Sequence, residues 1–306
     1  GGGGEGGHGG KGVAGGGAPP PPPPCHKEIA ALIHFHGWNA AIMGIIHKHA
    51  HINGKEAFMT ALKAVVFDMD DTLLSINLNA FIGMFALDEA NLLAQAARKS
   101  TVALFTSVGS AMLELNNGER AEGDIRTNQR FFADEVERRC GVPLLEPAIL
   151  DMLEFYEREI LPKKNDRLIA ARPREGVHEA IEAVLNRGMR IALLTNPSFS
   201  RACIECRMGW GDMLDMPFEL VTTWENSTRC KPCSGYYLEA LGKLGLAPEE
   251  TLMVGNDPKR DFPSPAIGLK TAYVGNGNQP RALWCGSMAD FAKGFDEIEE
   301  QFCTGD

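Results

Sequence analysis

Positive charge is in short supply in this 306-residue chain. Thirty Lys and Arg stand against 40 Asp and Glu, a formal net charge of -10. That balance argues against a general binder of nucleic acid or of acidic membrane surfaces. Cysteine is also sparse, at eight residues, too few for a disulfide scaffold. No secretory signal can be read, so reduced thiols in a cytoplasm are the expectation. Long apolar runs are missing too. The best stretch, residues 29–46, is broken by His34, His36 and Asn39 and lacks a basic flank on its N-terminal side. It suits neither a spanning helix nor a signal peptide. What is present is an ordinary hydrophobic fraction, 44%, and enough length for two domains.

The first 58 residues differ in composition from the rest. Residues 1–17 are mostly Gly, and Pro19 to Pro24 is an unbroken proline run. Such a segment cannot bury enough apolar surface to offset its ordering entropy. It holds seven of the eight His (His8, His26, His34, His36, His47, His49 and His51). A metal-binding tail has only composition behind it, and a tail without a folded role is the expectation. Lys55-Glu56-Ala57-Phe58 is encodable by a purine-rich stretch spaced like a ribosome-binding site ahead of Met59. Translation is therefore expected to start at Met59, with residues 1–58 as translated upstream sequence.

From Ala61 onward strands and helices alternate. Val65, Val66 and Phe67 read as a buried strand. A block at 78–170 carries four amphipathic stretches, 87–99, 107–115, 124–139 and 148–161, with few β-branched runs, and reads as all-helical. The alternation then resumes with a helix at 176–187, a strand at 190–195 and a helix at 198–208. A strand at 218–222, a helix at 235–244 and a strand at 251–254 follow. A short helix at 260–267, a strand at 270–274 and a final helix at 288–302 complete it. This pattern predicts an α/β fold, a Rossmann-like parallel sheet with both faces covered, and an inserted all-α cap domain. The expected division is a core from 59–77 and 171–306 and a helical cap from 78–170.

The chemistry is concentrated at the strand ends. The first strand runs into Asp68, Asp70, Asp71 and Thr72. Burying such carboxylates within the strand would cost several kcal/mol, so they belong at the carboxyl edge of the sheet, where ligands bind. The second strand ends in Thr195 and Asn196, the third is followed by Arg229-Cys-Lys-Pro232, and the fourth ends in Gly255-Asn256-Asp257 and continues to Asp261. A parallel sheet brings all four ends to one edge. Clustered carboxylates repel unless a cation joins them, and Mg²⁺ suits such oxygen ligands. With a phosphate ester as substrate, Asp68 is placed to attack phosphorus and Asp70 to move the protons. Thr195 is placed to hydrogen-bond a phosphoryl oxygen, and Lys231 to neutralise charge.

In this order, VVFDMDDTL, LLTN, CKP and VGNDPKRD resemble the four motifs of the haloacid dehalogenase-like hydrolase superfamily, and the helical block sits where that family carries an α-helical cap. The resemblance implies that Asp68 is the nucleophile and Asp70 the acid/base. It also implies Mg²⁺ on the Asp68 and Asp257 carboxylates and the Asp70 carbonyl, with Asp261 in support. Asn196 is a candidate substrate contact. The name-giving dehalogenases lack a carboxylate two residues after the nucleophile, so Asp70 favours phosphoryl transfer. The expected activity is a Mg²⁺-dependent phosphatase acting on a small phosphorylated metabolite, not on nucleic acid or membrane. A phosphomutase would use the same two aspartates. The oligomeric state stays open.

Four other features carry competing readings. Cys203-x2-Cys206 and Cys230-x2-Cys233 have zinc-site spacing, and a non-catalytic zinc-binding protein on the same scaffold is the rival from another class. Lys231 lies inside the second pair and the first pair falls on a helix, so ordinary thiols are expected. Arg126, Asn128 and Arg130 share a predicted helix and could grip a substrate, although a solvated face is the commoner outcome. Asp71 and Thr72 read as turn or capping residues. His178 reads as a surface residue.

Overall fold

The computed structural model describes residues 61–118, 120–121 and 123–304. The expectations for residues 1–58 and for Met59 fall outside the described residues. The first strand, β1 (Ala64–Phe67), is buried along its whole length. Its side chains alternate as the pleat requires. Val65 and Phe67 enter one apolar cluster, and Ala64 and Val66 enter another on the opposite face. β1 is flanked in parallel by β4 (Arg190–Leu193) and β5 (Thr251–Gly255). β6 (Lys270–Val274) and β7 (Trp284–Gly286) extend the sheet, giving the order β4-β1-β5-β6-β7, parallel throughout. A small antiparallel ribbon pairs β2 (Leu74–Ser75) with β3 (Arg172–Pro173).

Helices cover both faces. On the Val65 side pack α5 (Val177–Leu185), α6 (Arg201–Trp210), α8 (Met288–Lys293) and α9 (Phe295–Thr304). α7 (Ser234–Leu244) covers the Val66 side with Tyr236, Tyr237, Ala240 and Leu241. Between β2 and β3 run α1 (Leu78–Ala97), α2 (Thr101–Asn117), α3 (Asn128–Cys140) and α4 (Pro147–Phe155). They share a core of their own, which includes Leu93, Leu104, Val108, Phe132 and Val136. The caps are those the residue types favour: Asn77 and Thr127 accept main-chain N–H groups at the starts of α1 and α3, and Gly141 closes α3 in the left-handed region.

Several elements differ from the sequence reading. The strand expected at 218–222 is reduced to a single bridge, Leu193 to Val221. Phe218 turns back on Met216 at one end, and the Asn226 amide takes the Val221 carbonyl at the other. The helix expected at 260–267 shrinks to a 3-10 turn, Pro265–Ile267. The final helix is broken at Gly294 into α8 and α9. β7 was not foreseen, because three residues carry too little pattern to read.

α4 does not stop at Phe155 but widens into a π-turn, Tyr156–Ile160. That turn buries Glu157, whose carboxylate accepts a hydrogen bond from Ser200 at 2.6 Å. Burial, against that hydrogen bond, pushes the carboxyl up to about 7. A carboxyl raised in the folded state adds stability that is complete below its ordinary value and is lost as pH rises through about 7. Glu157→Gln is therefore expected to flatten the fall in urea midpoint between pH 5 and pH 8. The difference is of the order of 3 kcal/mol, and parallel curves for the two proteins would refute it.

Candidate active site

Asp68 is the first residue past β1. Its N–H is held by the Val254 carbonyl of the neighbouring strand at 2.9 Å, which fixes the side chain at the sheet edge. One oxygen, Oδ1, accepts from Lys231 Nζ at 2.7 Å, and Oδ2 accepts from the Thr72 hydroxyl at 3.1 Å. The same Lys231 Nζ donates to Asp261 Oδ1 at 2.7 Å. Asp68, Lys231 and Asp261 are only 8%, 1% and 2% exposed. Burial works against the Lys231 charge, but Asp261 and Asp68 outweigh it and hold the ammonium well above its ordinary pKa. Burial likewise raises Asp68, with Lys231 pulling the other way. Asp261 is pushed up to about 6 by burial and by the Asp68 charge.

The loop after β5 is built on Asp261. Its Oδ2 accepts the Asp257 N–H at 2.8 Å, while its own N–H reaches back to the Asp257 carbonyl at 2.7 Å. A side chain at Gly255 would collide with the Asp261 carboxylate, so glycine is required there for close approach. Asn256 faces Thr72, whose hydroxyl lies 3.1 Å from both Asn256 Oδ1 and Asp68 Oδ2. Thr72 thus ties two strand ends together, and Asp71 makes the turn at φ 58.

The end of β4 is tied in through Asn196. Its Oδ1 accepts the Lys231 N–H at 3.2 Å, and its amide donates to Asn116 of α2 at 2.6 Å. The Thr195 carbonyl is fixed by Tyr236 at 2.8 Å and Thr222 at 2.7 Å. Direct contacts therefore join Asp68, Lys231, Asp261, Asp257 and Asn196. The Thr195 hydroxyl and the Asp70 carboxylate make no hydrogen bond to these five.

Asp70 pairs instead with Arg207 of α6, whose Nη1 donates to Asp70 Oδ2. The sequence reading did not single out this arginine. Its one visible sign is position: Arg207 is four residues beyond Cys203, on the apolar face of α6, and is fully buried.

The helix 3 candidates are otherwise engaged. Arg126 lies before α3 and pairs with Asp124 and Asp134, and Arg130 also pairs with Asp134. Asn128 is buried, and its amide donates to the carbonyls of Pro197 at 3.0 Å and Arg229 at 3.1 Å. It fastens α3 to the loops that carry Asn196 and Lys231, which rules out a free polar grip. His178 is exposed and lies 3.4 Å from Asp212.

The four thiols do not meet. Cys203 and Cys206 belong to the core cluster beneath the sheet, and Cys230 to the cluster of α1–α4. Cys233 is exposed. Burial pushes the Cys230 thiol up to about 11, away from the thiolate that zinc requires. Among the described residues no three His, Cys, Asp or Glu side chains gather to hold a metal ion. The oxygen set that Mg²⁺ would use is smaller: two carboxylates, Asp68 and Asp257, and the Asp70 carbonyl. Their chemistry fits a hard cation. So does the charge: among the described residues Asp68 and Asp261 share Lys231, Asp70 pairs with Arg207 and Asp257 has no ion pair, which leaves negative charge for a cation to offset.

A family profile described as haloacid dehalogenase-like hydrolase matches residues 62–266, and the chain belongs to that family. It is an enzyme of the hydrolase class. Pyrophosphatase PpaX of Halalkalibacterium halodurans is 23% identical over 162 residues, covering 49% of this chain and 73% of that protein. Phosphoglycolate phosphatase of Thiobacillus denitrificans is 26% identical over 201 residues, covering 66% and 78%. A solved HAD phosphatase from Thermococcus onnurineus aligns with a TM-score of 0.48 at 20% identity, over 76% of this chain and 98% of that one. No helix among the described residues is long and apolar enough to cross a membrane.

Proposed function

We propose that the protein is a Mg²⁺-dependent phosphatase that hydrolyses a small phosphorylated metabolite through an aspartyl-phosphate on Asp68. The observation that carries this reading is the buried Asp68–Lys231–Asp261 bridge at the carboxyl edge of the sheet. It holds one nucleophilic oxygen beside an ammionium that stays charged. The names of the two relatives, a pyrophosphatase and a phosphoglycolate phosphatase, agree with phosphoryl chemistry.

In the first step an Asp68 oxygen forms a bond to phosphorus while the ester P–O bond breaks. Asp70 gives its proton to the departing oxygen. Lys231 neutralises charge between nucleophile and phosphoryl group, and the Thr195 hydroxyl and Asn196 contact the substrate. In the second step Asp70 takes a proton from water as that water attacks phosphorus, and the bond to Asp68 breaks, restoring its carboxylate. Mg²⁺ bound by Asp68, Asp257 and the Asp70 carbonyl would supply electrostatic stabilisation of the phosphoryl oxygens. The helices from 78 to 170 act as the cap, which excludes water over the site, and the core comprises, among the described residues, 61–77 and 171–304.

The test is hydrolysis of p-nitrophenyl phosphate by the full chain. Inorganic phosphate is expected as the main product. EDTA should lower the rate by at least about 100-fold, a few kcal/mol of charge stabilisation, and added Mg²⁺ should restore it. Undiminished turnover in EDTA would refute the metal role, and no release of phosphate under any metal would refute the phosphatase.

A further inference from the structure

Arg207 is a charged side chain in an apolar place. It is 0% exposed. Its Cζ lies 4.6 Å from the Phe199 ring centroid and 5.1 Å from that of Phe81 in α1. Nη1 donates to Asp70 Oδ2. Nε and Nη2 are buried and have no hydrogen-bond partner among the described residues, and the same holds for Asp70 Oδ1.

A purely structural role explains this poorly. Each unmet buried donor costs on the order of 1–3 kcal/mol, and apolar residues of similar volume often serve stability as well as a buried ion pair or better. An arginine kept under these conditions does something an apolar residue cannot. The two rings, in edge contact with their centroids 5.9 Å apart, pack against one side of the guanidinium, and the guanidinium in turn holds one oxygen of Asp70. The second oxygen is left without a partner.

We propose that Arg207 is the positioning residue for Asp70: by holding Oδ2 with a guanidinium packed against Phe81 and Phe199, it leaves Oδ1 as the oxygen that gives and takes the proton. This rests on the acid/base reading of Asp70 given above. In the first step the Oδ1–H proton moves to the ester oxygen, which keeps the electron pair of the breaking P–O bond. Oδ2 accepts from Arg207 throughout. In the second step Oδ1 recovers a proton from the attacking water. Phe81 belongs to α1, so the clamp is complete only while α1 lies against α6.

The experiment measures kcat/KM across aryl phosphates from 2,4-dinitrophenyl to phenyl phosphate. Dinitrophenolate leaves without a proton, whereas phenolate needs one. The ratio of the two values does not depend on how much of a preparation is folded. Arg207→Met should raise the dinitrophenyl-to-phenyl ratio by about 100-fold, the low end of what a positioned acid contributes. Arg207→Lys should recover part of that loss. Asp70→Asn should raise the ratio at least as far, and adding Arg207→Met to it should raise it no further. If Asp70→Asn raises the ratio and Arg207→Met leaves it at the wild-type value, Arg207 is structural and the proposal falls. If Asp70→Asn also leaves it unchanged, the acid/base reading of Asp70 fails first. Should Arg207→Met not fold, Arg207→Gln carries the same comparison.

Discussion

Asp68→Asn is expected to lower p-nitrophenyl phosphate turnover by at least about 10³-fold, as losing a nucleophile does. The amide keeps the shape of the side chain and its contact with Thr72 Oγ1. It loses the negative charge that faces Lys231 and the oxygen that attacks. Acid-quenched wild-type enzyme should carry a hydroxylamine-sensitive phosphoryl group on the peptide containing Asp68, and the variant should carry none. Turnover in Asp68→Asn above about a tenth of wild type would mean that another group, or water directly, attacks phosphorus.

The second large effect concerns Lys231, and it is on stability as well as rate. The ammonium bridges Asp68 and Asp261 at 2.7 Å each, with all three groups buried. Lys231→Met removes the cation and leaves two carboxylates facing each other in a poorly solvated place. Breaking such a buried pair costs about 3–5 kcal/mol, which urea unfolding reads directly. Lys63 gives the contrast. Its 2.6 Å bridge to Glu250 is solvent-exposed, and Lys63→Met should shift stability by no more than about 1 kcal/mol. Adding Asp261→Asn to Lys231→Met should recover part of the lost stability by removing one of the two unpaired charges. If the double variant is less stable than Lys231→Met alone, packing rather than charge explains the loss.

The sheet could be read from the chain because its central strands are short, apolar and closed by polar residues. Val65 to Phe67 and Leu252 to Val254 have that form. The carboxylates behind them had nowhere to go but the edge. Lys231 was legible for the same reason, by its place after the third of these strand ends, although the strand itself proved to be a single bridge. Contacts set by tertiary packing were not legible. Asn128 meets carbonyls 69 and 101 residues away in sequence, and no local pattern encodes that. Arg207 left one trace, a charge on the apolar face of α6. β7 and the π-turn after α4 left none, because a three-residue strand and a five-residue widening are too short for a repeating pattern to show.

The amide of Asn128 joins one helix to two loops at once, those that present Asn196 and Lys231. On the proposed reading of α3 as part of the cap, displacing that helix would break both ties at once and loosen the two loops that present Asn196 and Lys231.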